Sequence, residues 1–376
     1  MTSEVIFWVS VLGVLYPYAG YPLLLWLVAW LVPSRDVRNP GAALPGISMI
    51  VPFHNEEARV ATKLSNTAAL RYPDGSLQVL LISDGSTDGT VEQLRAHATA
   101  NMTVVDRPMR HGKAAALNAG LALATHELVV FSDASIALEP DSFRQIVVPF
   151  LDATVGTVSG EDRIADSGGE GWYGRYELFL RRLESRVHSI VGASGSFYAQ
   201  RRDLCSPFTE GMAPDFLSAL RTVEQGYRAV SEPSAVGAMT SVKDTAHEFE
   251  RKVRTSIRGM TTLFAHPGLL NPSRSGLFAF QLWSHKVLRW AVPVWLLVAF
   301  GSAALLWRAP LYGGLFGLQL LFYVLAAGAY FQRGGLHRSL LGKIALYFTV
   351  VNTAILIAWL RYWAGVRQEI WTPSRR

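Results

Sequence analysis

A single cysteine, Cys205, stands in 376 residues, which excludes an internal disulfide and suits a chain working in a reducing compartment. Charge is also scarce: 17% of residues are Asp, Glu, Lys or Arg, against 50% that are apolar. That scarcity is concentrated in runs. Thirty consecutive positions between Glu4 and Arg35 carry no charge, enough helix to cross a bilayer even with Pro17 and Pro22 inside it. The opening MTSEVIFW lacks the basic stretch of a secretory signal, and no small-x-small cleavage site follows, so residues 5–32 read as a retained anchor. Helix-turn-helix spacing, zinc-ligand clusters and RNP-like aromatic motifs are missing as well. The net charge of +6 therefore points to anionic lipid head groups or a phosphate-bearing substrate rather than nucleic acid.

Three further charge-free runs of 18, 24 and 17 residues lie between Arg289 and Arg308, Arg308 and Arg333, and Lys343 and Arg361. The first two are long enough to span; the third is marginal. Arg35 and Arg38 follow the first apolar segment whereas Glu4 precedes it, which orients the intervening polar region, residues 46–270, toward the cytosol. If all three C-terminal runs cross, the tail with Arg361, Arg367, Arg375 and Arg376 ends outside, against that rule. If one lies in the interface, the tail stays inside.

From residue 46, short β-rich runs alternate with helical stretches: ISMIVPF (47–53), LQVLLI (77–82), MTVVD (102–106) and ELVVF (127–131) as strands, with helices over 56–70, 90–97 and 113–124 between them. Such alternation implies a parallel, doubly wound α/β sheet. In these sheets ligands collect where loops leave the carboxyl ends of strands. Four loops do so here, PFHNEE, SDGSTDGT, DRPMRHGK and SDASIALEPD, each polar where a plain connection need not be.

The motifs IVPFHNEE (50–57), SDGSTDGT (83–90), RHGKAAALNAG (110–120), SDAS (132–135) and PDFLSALRTVEQGYRAVSEP (214–233), in this order, resemble those of the glycosyltransferase family 2 enzymes. Apolar segments on both sides of them are similar to the membrane branch containing cellulose, hyaluronan and poly-N-acetylglucosamine synthases. The resemblance implies a GT-A fold, Rossmann-like with a mostly parallel sheet, over residues 46–245. Around it would lie an N-terminal anchor (1–34), amphipathic interfacial helices (246–286), C-terminal transmembrane segments (287–363) and a basic tail (364–376). It implies transfer of a sugar, with inversion, from a cytosolic nucleotide sugar, expected as a UDP-sugar, to a saccharide or lipid-linked acceptor by a multi-pass cell-membrane protein.

Residue by residue, the resemblance assigns Asp84 to the nucleotide base, Arg110, Lys113 and Asn118 to the donor, and Asp215 to the catalytic base. Asp133 would hold Mg²⁺ or Mn²⁺ against the diphosphate, but Ser135 replaces the second aspartate of the family's D-x-D. Gly192 and Gly195, in GASGSFYAQRR (192–202), are expected beside the acceptor. In HEFERKVRTSIRGMTTLF (247–264), Phe249, Val253, Ile257, Met260 and Phe264 fall on one helical stripe, an interfacial pattern. Arg251 and Arg254 there are the nearest match to a Q-x-x-R-W motif that lacks both its Gln and its Trp. That gap, and the small number of apolar segments, favour single additions or an export partner over processive synthesis with translocation. A catalytically silent nucleotide-binding scaffold is the other alternative, and retention of Asp84, Asp133 and Asp215 speaks against it.

Overall fold

The computed structural model describes residues 2–33, 43–73, 75–164, 169–239 and 245–367. Arg35, Arg38, Arg375 and Arg376, on which part of the charge argument rests, lie outside these residues. The chain opens with α1 (Thr2–Leu15), a π-turn over Tyr16–Gly20 at Pro17, and α2 (Tyr21–Leu31), together one apolar helix of 30 residues.

The domain then builds as the alternation dictates: β1 (Ile47–Phe53), α3 (Glu57–Ala68), β2 (Leu77–Asp84), α4 (Thr90–His97), β3 (Met102–Arg107), α5 (Lys113–Leu123) and β4 (Leu128–Ser132). Every residue of β1 is buried, as an interior strand covered on both faces requires. Its side chains alternate: Ile47, Met49, Val51 and Phe53 enter one apolar layer, and Ile50, with Leu80 and Ile82 of β2, the other. Gly120 lets α5 press on the sheet, since a Cβ there would stand 2.5 Å from the Ile50 side chain.

Beyond β4 follow β5 (Ala137–Leu138), α6 (Ser142–Val147), β6 (Val155–Ile164), α7 (Gly169–Val187), β7 (Phe197–Arg201), α8 (Pro214–Glu224) and β8 (Arg228–Met239). The eight strands form one sheet in the order β3-β2-β1-β4-β7-β6-β8-β5. Pairing is parallel among β1 to β4 and between β6 and β8, while β7 runs antiparallel to both neighbours, so the sheet is mixed rather than wholly parallel.

The rest of the chain is helical: α9 (Thr245–Phe264), α10 (Pro272–Leu282), α11 (Leu288–Leu305), α12 (Pro310–Tyr330) and α13 (Leu340–Trp363). A π-turn, Trp283–Val287, joins α10 to α11, so that apolar helix starts at Pro272 rather than at the charge boundary. Four helices, counting Thr2–Leu31 and Pro272–Leu305 as one each, are long and apolar enough to cross a membrane.

The α/β domain and these helices are tied by buried polar groups. Glu184 of α7 accepts from Tyr21 OH at 2.8 Å and pairs with His285 Nδ1 at 2.6 Å, and Glu177 pairs with His285 Nε2 at 3.2 Å and with Arg289. Buried carboxylates left alone would be costly, so their partners fix how α7 sits on the apolar block. The apolar stripe of α9 also meets protein: Val253, Ile257 and Met260 are fully buried in a cluster with Val351, Ala354, Ile355 and Ala358 of α13.

Candidate active site

The carboxyl ends of β1 and β4 diverge toward different neighbours, the place where an open α/β sheet forms a crevice. A cavity of about 400 Å³ lies there, and Asp133, Lys113, Gly195, Asp215, Arg251 and Arg254 all line it. Six of the expected site residues, from five separated stretches of chain, thus face one space.

Asp133 follows the last residue of β4, its backbone N–H donating to Ser196 O at 3.0 Å. Lys113, the first residue of α5, donates from Nζ to Asp133 Oδ1 at 2.5 Å and to Gly195 O at 3.1 Å. Across the cavity, Asp215 sits in the first turn of α8 behind Pro214, and the N-cap, Ala213, offers no side chain. The simplest account of an aspartate at such a place is a cap, yet no capping bond is made. Its carboxylate instead borders Gly195, where a Cβ would stand 3.7 Å from Oδ2.

The cationic wall comes from α9. Arg251 is paired with Glu248 at 2.7 Å, and Arg258 donates to Met212 O. Arg254 has no hydrogen-bonding or carboxylate partner within 4 Å among the described residues, and burial, reinforced by Arg251, pulls its guanidinium below its ordinary value. A cation disfavoured in this way is relieved by an anion brought into the cavity. For an anionic substrate bound there, Arg254→Ala should lower kcat/KM about 10- to 100-fold, the loss of one charge-assisted contact of ~1.5–3 kcal/mol, chiefly through KM in steady-state assays.

Four expected site residues fall outside the cavity lining. Asn118 is turned away from the cavity: its Nδ2 donates to Phe208 O at 2.9 Å and its Oδ1 accepts from Phe208 N at 2.7 Å, which pins the loop before α8 to α5. Asp84, expected at the nucleotide base, is 1% exposed and does not line the cavity. Its Oδ1 accepts from Arg107 at 2.8 Å and its Oδ2 from Gly112 N at 2.6 Å, with His111 N 3.2 Å from both. The carboxylate therefore organises the loop that presents Lys113, and Gly85, at φ +62°, lets that loop close in, because a Cβ there would meet Arg110 N at 2.4 Å. Arg110 itself is exposed and outside the cavity lining, as is Gly192, whose Cβ would face Phe216 and Lys286 instead.

Other lining residues carried no sequence mark. Tyr173 and Glu177 of α7 and Tyr347 of α13 reach the same cavity, although the α7 segment carries no motif and Tyr347 lies in the charge-free run before Arg361. Arg258, four residues after Arg254 on the same helical face, was legible by spacing alone. Behind the SDAS turn lies Lys63 of α3, 2% exposed, its Nζ donating to Ser132 Oγ at 2.8 Å and Ile136 O at 2.9 Å. It braces both ends of the segment that carries Asp133.

Burial pulls the Lys63 ammonium down to about 7, while Asp133 opposes the shift. An unfolded lysine keeps its proton to about pH 10.4. Between those values the unfolded chain binds the extra proton, so through this residue stability rises as pH rises above 7. The wild-type melting temperature should therefore gain more between pH 6.5 and 9 than that of Lys63→Met; parallel profiles would remove the assignment.

A divalent cation fits this site on one condition. Among the described residues no three His, Cys, Asp or Glu side chains cluster as a ready cage. Asp133 and the Ser135 hydroxyl face the cavity together, and Mg²⁺ or Mn²⁺ is commonly held by one or two carboxylates completed by substrate phosphates and water. The donor set suits a cation that arrives with a diphosphate.

A mixed, mostly parallel sheet with an acidic and basic cavity outside its carboxyl edge is an α/β domain of the GT-A class. Residues 48–207 match the sequence profile of Glycosyl transferase family 2. It is 25% identical over 234 residues to the poly-beta-1,6-N-acetyl-D-glucosamine synthase of Staphylococcus aureus strain COL, covering 58% of this chain and 56% of that one. The corresponding synthase of Staphylococcus epidermidis is 31% identical over 130 residues, 34% of this chain and 31% of that one. The chain thus spans about half the length of the first of these relatives. Among solved structures, the mannosyltransferase PcManGT of Pyrobaculum calidifontis, in complex with GDP-Man and Mn²⁺, superposes with a TM-score of 0.75 at 26% identity, over 96% of this chain and all of that one.

Proposed function

We propose that this protein is an inverting membrane glycosyltransferase that moves a hexose from a nucleoside diphosphate sugar in the cytosol to a hydroxyl of a saccharide or lipid-linked acceptor. The observation that carries the reading is the meeting of Asp133, Lys113, Asp215 and Arg254 around one cavity at the carboxyl edge of the sheet. In this reading Asp133, with Ser135, would hold Mg²⁺ or Mn²⁺, and the bound cation would supply neutralisation of the leaving group. The GDP-Man and Mn²⁺ in the similar mannosyltransferase support that assignment.

Lys113 and Arg254 bind the diphosphate from either side, and Gly195 leaves room for a sugar ring beside Asp215. The Asp215 carboxylate takes the acceptor hydroxyl proton as that oxygen bonds to the anomeric carbon and the bond to the diphosphate oxygen breaks on the opposite face. Attack from behind the leaving group inverts the configuration. The two similar proteins handle different sugars by name, so the donor class proposed is the nucleoside diphosphate hexose as such.

Purified protein in lipid nanodiscs, given radiolabelled UDP- and GDP-hexoses with membrane extract as acceptor, should transfer label from one donor and yield a product of discrete size. A ladder of long chains would replace single addition by processive synthesis. Absence of both hydrolysis and transfer with every donor would leave the scaffold reading.

A further inference from the structure

Length and composition make α13 a candidate crossing, but its contacts run sideways. Near its start, Tyr347 lies against Tyr173 of α7, ring centroids 5.6 Å apart, with Lys252 Nζ of α9 5.5 Å from its ring. Farther along, Trp359 donates through Nε1 to Trp290 O at 2.9 Å, at the domain end of α11, and packs on Phe264 of α9. Arg361 then reaches Glu250, again on α9, at 3.5 Å.

From Tyr347 to Arg361 an α-helix advances ~21 Å. A crossing helix would by then have passed through most of the ~30 Å hydrocarbon layer. Instead both ends of the stretch hold to the same helix, and Val351, Ala354, Ile355 and Ala358 between them share a buried cluster with its apolar stripe. That helix carries Glu248, Glu250, Arg251, Lys252, Arg254 and Arg258, charges that exclude it from hydrocarbon. A neighbour packed along it is held at the same depth.

We propose that α13 does not cross the membrane but lies along its surface on the side of the catalytic domain. The chain then crosses three times, and the residues after Trp363 share the domain's compartment. The outer face of α13, with Leu341 71%, Leu360 53% and Trp363 70% exposed, meets the lipid as an interfacial helix does. Its inner face carries Tyr347 into the catalytic cavity, so the helix separates that cavity from the bilayer. The charge pattern agrees. With three crossings only Arg308, between α11 and α12, lies on the far side, while Arg333, Arg338, Arg361 and Arg367 stay with the domain. A fourth crossing would send Arg361 and Arg367 across.

The test uses the full chain with Cys205→Ser and one new cysteine at a time: Ala96→Cys on the domain, Trp307→Cys between α11 and α12, and Val366→Cys after α13. Sealed vesicles of either orientation are treated with a membrane-impermeant maleimide. Val366→Cys is expected to label in the orientation that labels Ala96→Cys, and Trp307→Cys in the other. Labelling of Val366→Cys together with Trp307→Cys would overturn the proposal, and so would labelling of all three in one orientation.

Discussion

Asp215→Asn should leave the protein folded and able to bind its donor, yet reduce sugar transfer by about 10²–10⁴-fold, the range of a positioned general base. Asparagine keeps the size of the side chain and the first turn of α8, and no capping bond is lost because Asp215 makes none. What disappears is an acceptor for the hydroxyl proton. The effect should therefore fall on kcat, with donor affinity by calorimetry within about twofold of wild type. Slow hydrolysis of the donor by water, if measurable, should fall in parallel. Transfer at near wild-type rate would remove Asp215 from the chemistry and direct attention to Glu56, Asp162 or Glu177, the carboxylates besides Asp133 that line the cavity.

The fold was legible for a physical reason that also sets where legibility ends. Interior parallel strands must be apolar on both faces, so β1 and β2 read as near-continuous hydrophobic runs, and the helices between them keep their own period. The antiparallel turn of β7 was not legible, because pairing direction depends on how a long connection returns rather than on composition. α13 was underestimated for another reason. Its charge-free run stops at Lys343 and Arg361, both inside the helix, and length by charge cannot distinguish a helix that pierces a bilayer from one that rests on it.

At the site, motif order picked out residues on strand and helix ends that the fold brings to one cavity, since those ends converge in this topology. It did not show what holds Asn118 and Asp84, because their partners are brought near only by the fold: Phe208 is 90 residues from Asn118, and Gly112 and Arg107 are 28 and 23 from Asp84. Both side chains are polar residues in a conspicuous motif, and both are occupied in holding the loops that aim other residues. Tyr173 and Tyr347 could not be found by pattern at all, for an aromatic on an amphipathic helix reads as packing until its neighbours are known.

Asp133→Asn should be nearly as damaging as the loss of Asp215, and for a different reason. Asp133 is the carboxylate of the SDAS turn, and with Ser135 at the second position a hydroxyl cannot stand in for it. The substitution also removes the partner of Lys113, whose ammonium is 2.5 Å from Oδ1. Loss of leaving-group neutralisation is expected to cost about 10²–10³-fold in kcat/KM, with the donor bound more weakly as well. The two roles separate by titration. If Asp133 holds the cation, wild-type transfer should be abolished by EDTA and restored by Mn²⁺ or Mg²⁺, and the half-saturating Mn²⁺ concentration of Asp133→Asn should rise at least about tenfold. If its role is only to seat Lys113, Asp133→Asn and Lys113→Met should lose donor affinity alike while the metal response stays unchanged. Wild-type transfer that persists in EDTA would shift the burden of neutralising the diphosphate to Lys113, Arg254 and Arg258, cations that line the cavity.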